Sequence, residues 1–236
     1  MLDLTPSRRD LLLGAGGLFI SLAIKAPAQA ANSAPLVAPA AAKPLAIDQV
    51  ASFLAIDPQS HVTLFTGKVD LGTGLMTAML QIVAEELDVA PASVTIISGD
   101  TALTPDQGTS SGSNGIQIGG MQIRRAAATA KHALLDMAAA KLGVDVASLT
   151  VENGVVTGGG KSVSYGTLVT GQSIAIPVSP DVPSKDPSKF KLVGKSMRRL
   201  DIPDKVTGRF TYMQDVKVDG CCMAAWCAHL RWVRCC

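Results

Sequence analysis

Before Cys221 the chain contains no cysteine. That stretch therefore encodes no thiolate zinc site and no iron–sulfur ligand set. Aromatic residues are scarce at 4%, and charged residues make up only 17%, with 21 basic against 19 acidic side chains. No basic block interleaved with aromatics occurs, so nothing in the charge pattern points to a nucleic acid. His61 and His132 are the only histidines before the last sixteen residues, and their separation is not a metal-ligand spacing, so both read as structural. Long apolar runs are missing too. The apolar stretch at 11–24 is about fourteen residues, short of the roughly 20 that cross a bilayer. What is present is a hydrophobic fraction of 47% in 236 residues, enough for a buried core in one large or two small domains.

The N-terminus carries an address. Arg8 and Arg9 follow Ser7 and precede the apolar stretch, and Ala28-Gln29-Ala30 supplies a small-residue cleavage pattern. Residues 1–30 are expected to be a twin-arginine export signal, a route that carries proteins already folded. Cleavage is expected after Ala30, which puts the protein in the periplasm; an uncleaved signal would hold it at the membrane. Residues 31–46 are rich in Ala and Pro and read as a tether.

From Val50 the pattern becomes regular. "VASFLAI" and "HVTLFTG" are β-rich runs joined by the turn Asp57-Pro58-Gln59-Ser60. "LMTAMLQIVAEEL" has helical spacing, with Leu75, Met79, Ile82 and Leu87 inward and Gln81, Glu85 and Glu86 on the solvated side. "SVTIISGD" reads as a strand, and a loop over 101–115 leads into a long helix ending near Gly143. That helix is expected to turn Ile118, Met121, Ala128, Leu135 and Ala139 inward. Asn153-Gly154 between apolar runs marks a hairpin. The fold class is α/β or α+β over 47–175. Four prolines in 176–191 suggest a linker, after which 192–220 begins something new.

Two loops carry candidate chemistry. Gly67, Gly72 and Gly74 stand between a strand and a helix, where backbone N–H groups approach an anion closely. The spacing is neither a P-loop nor a dinucleotide fingerprint. The second loop, "TPDQGTSSGSNGIQIGG", sits at the same point of a second strand-to-helix unit. Its hydroxyls and the amides Gln107 and Asn114 form an uncharged, donor-rich surface suited to a phosphate or a polar heterocycle. Adjacent Glu85 and Glu86 do not face one another and are not a catalytic dyad; they read as capping or solvating the helix.

Taken together, "GKVDLGTGLMTAMLQIVAEELDV" and "DTALTPDQGTSSGSNGIQIGGMQIRRAAATAKHALLDMAA" resemble the molybdopterin-binding region of molybdenum hydroxylase large subunits, the group of xanthine dehydrogenase and aldehyde oxidase. The order of parts is most like the exported subfamily that holds the isoquinoline 1-oxidoreductase beta chain and its nicotinate dehydrogenase counterpart. The resemblance implies a partial molybdopterin-binding domain at 47–175, and "VGKSMRRLDIPDKVTGRFTYMQDVKVDG" looks like the start of the family's α/β hammerhead domain, here truncated. It implies a molybdenum cofactor, as a dinucleotide, a small 2Fe-2S partner subunit, a cytochrome c acceptor and a small-molecule substrate, an aldehyde or N-heteroaromatic ring hydroxylated with water. The family's first loop reads Gly-Gln-Gly, and Thr73 stands where that glutamine would. The residues carried over as cofactor contacts are Gly72, Thr73, Gly74, Thr109, Ser110, Ser111, Gly112 and Ser113. The family's catalytic glutamate lies in a downstream glycine-rich motif that this sequence does not contain, so no catalytic residue and no metal ligand is assigned. A different class, a non-catalytic module for a phosphate-bearing ligand, needs only the loops.

Residues 221–236 hold all five cysteines and both tryptophans. Their spacing, His229 included, matches no familiar zinc or cluster pattern. Shifting the possible codons by one base permits Met-Leu-His-Gly-Arg-Val-Val-Arg-Pro, the way the hammerhead of this family commonly continues after Asp219-Gly220. The expectation is that the segment from Cys221 onward is read out of frame.

Overall fold

The computed structural model describes residues 46–170 and 176–217. The expected export signal, all but the last residue of the expected tether, and the cysteine-rich tail lie outside these residues. The chain divides into two units, and the core belongs to the one that includes 38–200.

Strand β1 (Leu54–Ile56) is buried along its whole length and pairs antiparallel with β2 (Val62–Thr66), Leu54 opposite Leu64. The connecting turn is built by Asp57, whose Oδ1 accepts the N–H of Gln59 at 2.9 Å and of His61 at 2.8 Å. This local acceptor fixes the turn that the sequence suggests. β2 alternates between buried and half-buried positions, as a strand with one face on the core must. β3 (Val94–Ser98) lies parallel to β2, Leu64 opposite Ile96. Parallel neighbours need a crossover, and helix α1 (Leu75–Leu87) supplies it. The resulting order is β1-β2-β3.

Helix α2 (Met121–Leu142) packs on α1 and ends at Gly143, whose φ of 72° and N–H to the Ala139 carbonyl, 2.8 Å, close the helix in the left-handed region. Its buried stripe is Ile123, Ala126, Ala127, Ala130, Leu134 and Ala138. The expected face was offset: Ala128 is buried, but Leu135 and Ala139 are only half-buried, and Ile118 and Met121 are 50% and 41% exposed. Residues Gly115–Gly120 form a π-helical stretch. Its wider turn rotates the residues before Met121 away from the face that an α-helical period projects backwards.

A second antiparallel sheet, β4 (Thr150–Glu152), β5 (Val155–Gly158) and β6 (Lys161–Ser164), follows in the order β4-β5-β6. Asn153 and Gly154, with φ of 49° and 74°, make the tight turn between β4 and β5. Val156 and Val163 turn inward. Helix α3 (Tyr165–Val169) is capped by Ser164, whose side chain accepts from the Thr167 N–H. Tyr165 is fully buried and its hydroxyl donates to the Leu87 carbonyl at 3.0 Å, fastening this sheet to the end of α1. Burial first, and then the negative charge of Asp88, push the Tyr165 phenol well above its ordinary value.

The proline-containing segment from Ile176 is not slack. The Val50 N–H donates to the Ile176 carbonyl at 2.9 Å, and the Val178 N–H to Asp48 O at 2.7 Å. The segment then runs back along α1 as a strap. Glu85 takes the N–H groups of Lys191, Leu192 and Val193, Gln81 donates to Leu192 O and Lys195 O, and Thr77 accepts the Leu200 N–H. Those three side chains stand one turn apart on a single helix face.

Glu85 and Glu86, expected on the solvated face, are each only 2% exposed. Lys185 pairs with Glu85 at 2.6 Å and with Asp88 at 2.6 Å, Arg124 pairs with Glu86 at 3.0 Å, and Lys131 pairs with Asp88. The strap covers the polar side of α1, so these carboxylates are buried with partners rather than hydrated. Burial pushes the Glu85 carboxyl up, but Lys185 and the N–H groups of Leu192, Val193 and Lys191 outweigh it and hold the carboxyl at about 2.

The other unit includes 201–236, described as far as Lys217. It contains α4 (Ile202–Val206), an ion pair of Lys205 with Asp201 at 2.6 Å, and Lys205 over the Phe210 ring at 4.9 Å.

Candidate functional site

The two candidate loops leave the C-terminal ends of the parallel pair β2 and β3, the end at which α/β sheets present ligand sites. They touch at backbone level. A Cβ on Gly67 would lie 2.2 Å from the Pro105 carbonyl oxygen, so the approach requires glycine. Gln107 stitches the contact. Its Oε1 accepts from Thr66 Oγ1 at 2.6 Å and from the Gly67 N–H at 3.0 Å, while its Nε2 donates to Gln122 Oε1 at 2.9 Å and Gly119 O at 3.3 Å. Ser110 Oγ accepts the Val69 N–H at 2.9 Å.

Lys68 is the centre of the contact. It is 0% exposed, and its Nζ donates to Thr109 O at 2.6 Å, Gly108 O at 3.3 Å and Asn114 Oδ1 at 3.3 Å. Asn114 Oδ1 also accepts the Ser111 N–H at 3.3 Å. The serine-rich loop is thus held from beneath by one ammonium and one amide.

Its upper side is open. Thr109, Ser111, Gly112 and Ser113 are exposed, and among the described residues the hydroxyls of Thr109, Ser111 and Ser113 make no hydrogen bond. Gly108, Gly112 and Ser113 have φ of 71°, 57° and 61°, a backbone that turns the chain back on itself and is costly for a serine. This donor set suits a polar heterocycle or a phosphate and fits a molybdopterin group.

The glycine turn is different. Gly72 and Gly74 have φ of 95° and 81°. The Asp70 carboxylate accepts the N–H groups of Gly72 at 2.8 Å, Thr73 at 2.9 Å and Gly74 at 3.2 Å. An aspartate of the chain therefore sits where the anion of a ligand was expected, and it satisfies the first turn of α1 electrostatically. Arg199 crosses the same turn, donating to Gly72 O at 3.0 Å. No hydrogen bond joins Gly72, Thr73 or Gly74 to the serine-rich loop among the described residues; the two loops meet at Gly67, Lys68 and Val69 instead.

The sequence pattern did not single out Lys68, Asp70 or Arg199, and Gln107, expected among the surface donors, is instead buried with its amide bonded to Thr66, Gly67, Gly119 and Gln122. A signal for Lys68 existed: Val62, Leu64 and Thr66 point inward, and period two carries that parity to position 68. Gln107 and Arg199 lie in irregular segments, where no period marks a buried side. His61 pairs with Thr95 Oγ1 at 2.6 Å and His132 is exposed on α2, both away from the loops. Among the described residues no group of His, Cys, Asp and Glu is arranged to hold a metal ion.

Residues 30–214 match the molybdopterin cofactor-binding domain family, and the chain belongs to that family. It is 39% identical over 214 residues to the B subunit of nicotinate dehydrogenase from Pseudomonas putida, covering 90% of this chain and 18% of that protein. It is 27% identical over 258 residues to the beta subunit of isoquinoline 1-oxidoreductase from Brevundimonas diminuta, covering 91% of this chain and 32% of that one. Among solved structures, quinoline 2-oxidoreductase of Pseudomonas putida 86 aligns with a TM-score of 0.44 and 30% identity, over 49% of this chain and 15% of that one. The chain therefore spans about a fifth to a third of the curated relatives just named.

Proposed function

We propose that the chain is the cofactor-holding N-terminal part of the large subunit of an exported molybdenum hydroxylase, with the serine-rich loop as its contact to the cofactor. The observation that carries this reading is the loop itself: Thr109, Ser111 and Ser113 are exposed, their hydroxyls bond to no described residue, and the backbone is held by Lys68 and Asn114. Family membership says which ligand to expect there.

When bound, the molybdenum cofactor, in its dinucleotide form, supplies the redox chemistry, while the protein binds and orients it. The reaction of the whole enzyme is hydroxylation of an aldehyde or N-heteroaromatic carbon with water as oxygen source. Electrons leave through a 2Fe-2S partner subunit to a periplasmic acceptor, a cytochrome c. Support for a multi-subunit assembly comes from the relatives, whose names are those of subunits.

The test is co-purification with the small partner subunit and measurement of molybdenum and pterin per chain. Near one of each is expected. Ser111→Ala with Ser113→Ala removes two donors, each worth about 0.5–1.5 kcal/mol net, and lowers occupancy at limiting cofactor. Unchanged occupancy in that variant would remove the loop from the cofactor site, and no pterin in the wild type would reject the reading.

A further inference from the structure

Lys68 does more than a tie requires. Its side chain is fully buried, and among the described residues it forms no ion pair with a carboxylate. The acids nearest in sequence are turned elsewhere: Asp70 to the N–H groups of Gly72, Thr73 and Gly74, and Asp106 to that of Gly108 at 2.8 Å. Removing an ammonium from water is expensive, and three neutral acceptors return only part of the loss. The space is also shaped for this stem, since a Cβ on Gly119 would come within 2.8 Å of Lys68 Cγ and 3.2 Å of Cε. A neutral amide would suffice to hold the Gly108 and Thr109 carbonyls. The charge is the part that loop closure leaves unexplained.

We propose that Lys68 is a positioning residue for an anionic ligand group: it places an uncompensated positive charge directly beneath the serine-rich loop, so that the loop's neutral hydroxyls select a phosphate-bearing ligand over an uncharged one. This rests on the reading of the loop as the ligand contact. Lys68 acts through the loop and does not itself reach the surface. A fully buried charge is screened little by salt, so its attraction for an anion at the loop is stronger than that of a surface lysine. An arginine is not a conservative replacement, because its planar guanidinium cannot reproduce the donor geometry of the ammonium on Thr109 O, Gly108 O and Asn114 Oδ1.

The experiment uses inorganic pyrophosphate as probe on the full chain, followed by calorimetry and by resonances of the Ser111 and Ser113 amides and the Lys68 Nζ. Wild type is expected to bind, with all three signals moving together. Lys68→Gln, which keeps two donors and loses the charge, and Lys68→Met, which loses both, are expected to bind at least about ten-fold more weakly, the loss expected for about 1.4 kcal/mol. Thermal unfolding of Lys68→Gln should stay close to wild type. If Lys68→Gln binds pyrophosphate as tightly as wild type, the lysine is only a tie and the inference fails while the loop keeps its role. If the Ser111 and Ser113 amides of wild type do not move, the loop reading falls and the inference with it. If neither variant folds, the wild-type Nζ signal decides: one that stays still while the Ser111 amide shifts overturns the proposal.

Discussion

Glu85 shows at a single residue how burial and partnership compete. Desolvation alone would raise its carboxyl, yet Lys185 and the N–H groups of Leu192, Val193 and Lys191 bring it from 4.5 to about 2. Because the folded value lies below the ordinary one, the contribution to stability is complete above pH 4.5 and disappears as pH falls toward 2. Lys185 has the opposite sense. Burial lowers it, the hydrogen bonds and charges of Asp88 and Glu85 more than reverse this, and its contribution holds up to its ordinary 10.5 and is lost only above it. Urea midpoints of the wild type should therefore drop between pH 4.5 and 2, and the drop should be shallower in Glu85→Gln. At neutral pH Glu85→Gln should cost about 1.5–3 kcal/mol, since the Lys185 ammonium loses one of its two carboxylate partners and keeps Asp88. Adding Lys185→Met should recover part of that loss, and a double-mutant cycle measures how much. Additive losses would show that the two side chains do not act as a pair.

Elements differ in how far the sequence discloses them. The β1–β2 hairpin, α1, β3 and the Asn153-Gly154 turn were legible because period and turn chemistry agree at each. The strap was not, because it packs through backbone N–H groups and ion pairs, neither of which leaves an apolar period. The buried face of α2 was misplaced for another reason: the π-helical stretch before Met121 breaks the period from which the face was extrapolated. At the site, the serine-rich loop was readable as donors, whereas Asp70 filling the glycine turn needed coordinates. Two glycines separate the reasons an element demands that residue. Gly154 has φ of 74°, with the nearest atom to an added Cβ at 3.4 Å, so Gly154→Ala meets conformational strain of about 1–2 kcal/mol and little crowding. Gly67 lacks positive φ, yet its Cβ would sit 2.2 Å from Pro105 O, so Gly67→Ala must push the two loops apart. Thermal melts should show both losses. Only Gly67→Ala should also disturb the Lys68 Nζ resonance, and an equal disturbance from Gly154→Ala would contradict this division.

For the whole molecule, the proposed export route would link folding and location. No helix among the described residues is long and apolar enough to cross a membrane. Export, as proposed, rests on the first thirty residues, in which Arg8-Arg9 would be the receptor-read part of a twin-arginine signal. That route accepts folded cargo, and the unit that includes 38–200 has the properties of such cargo: one buried core, and a strap that covers the polar face of α1 before the chain leaves it. Replacing both arginines by lysine keeps the charge and removes the recognised group. The expected outcome is accumulation in the cytoplasm of a chain that still folds, read by cell fractionation together with pyrophosphate binding of the retained protein. In the wild type the periplasmic form should begin at Ala31, read by N-terminal sequencing. A chain carrying Gly67→Ala with Glu85→Gln keeps its arginines but loses stability at the loops and the strap, and it too should stay inside, because the route rejects unfolded cargo. If the lysine pair is exported at normal yield, the signal is not read as twin arginine. Export of the destabilised chain alone would instead show that it travels unfolded, and loading of the serine-rich loop would then have to follow export.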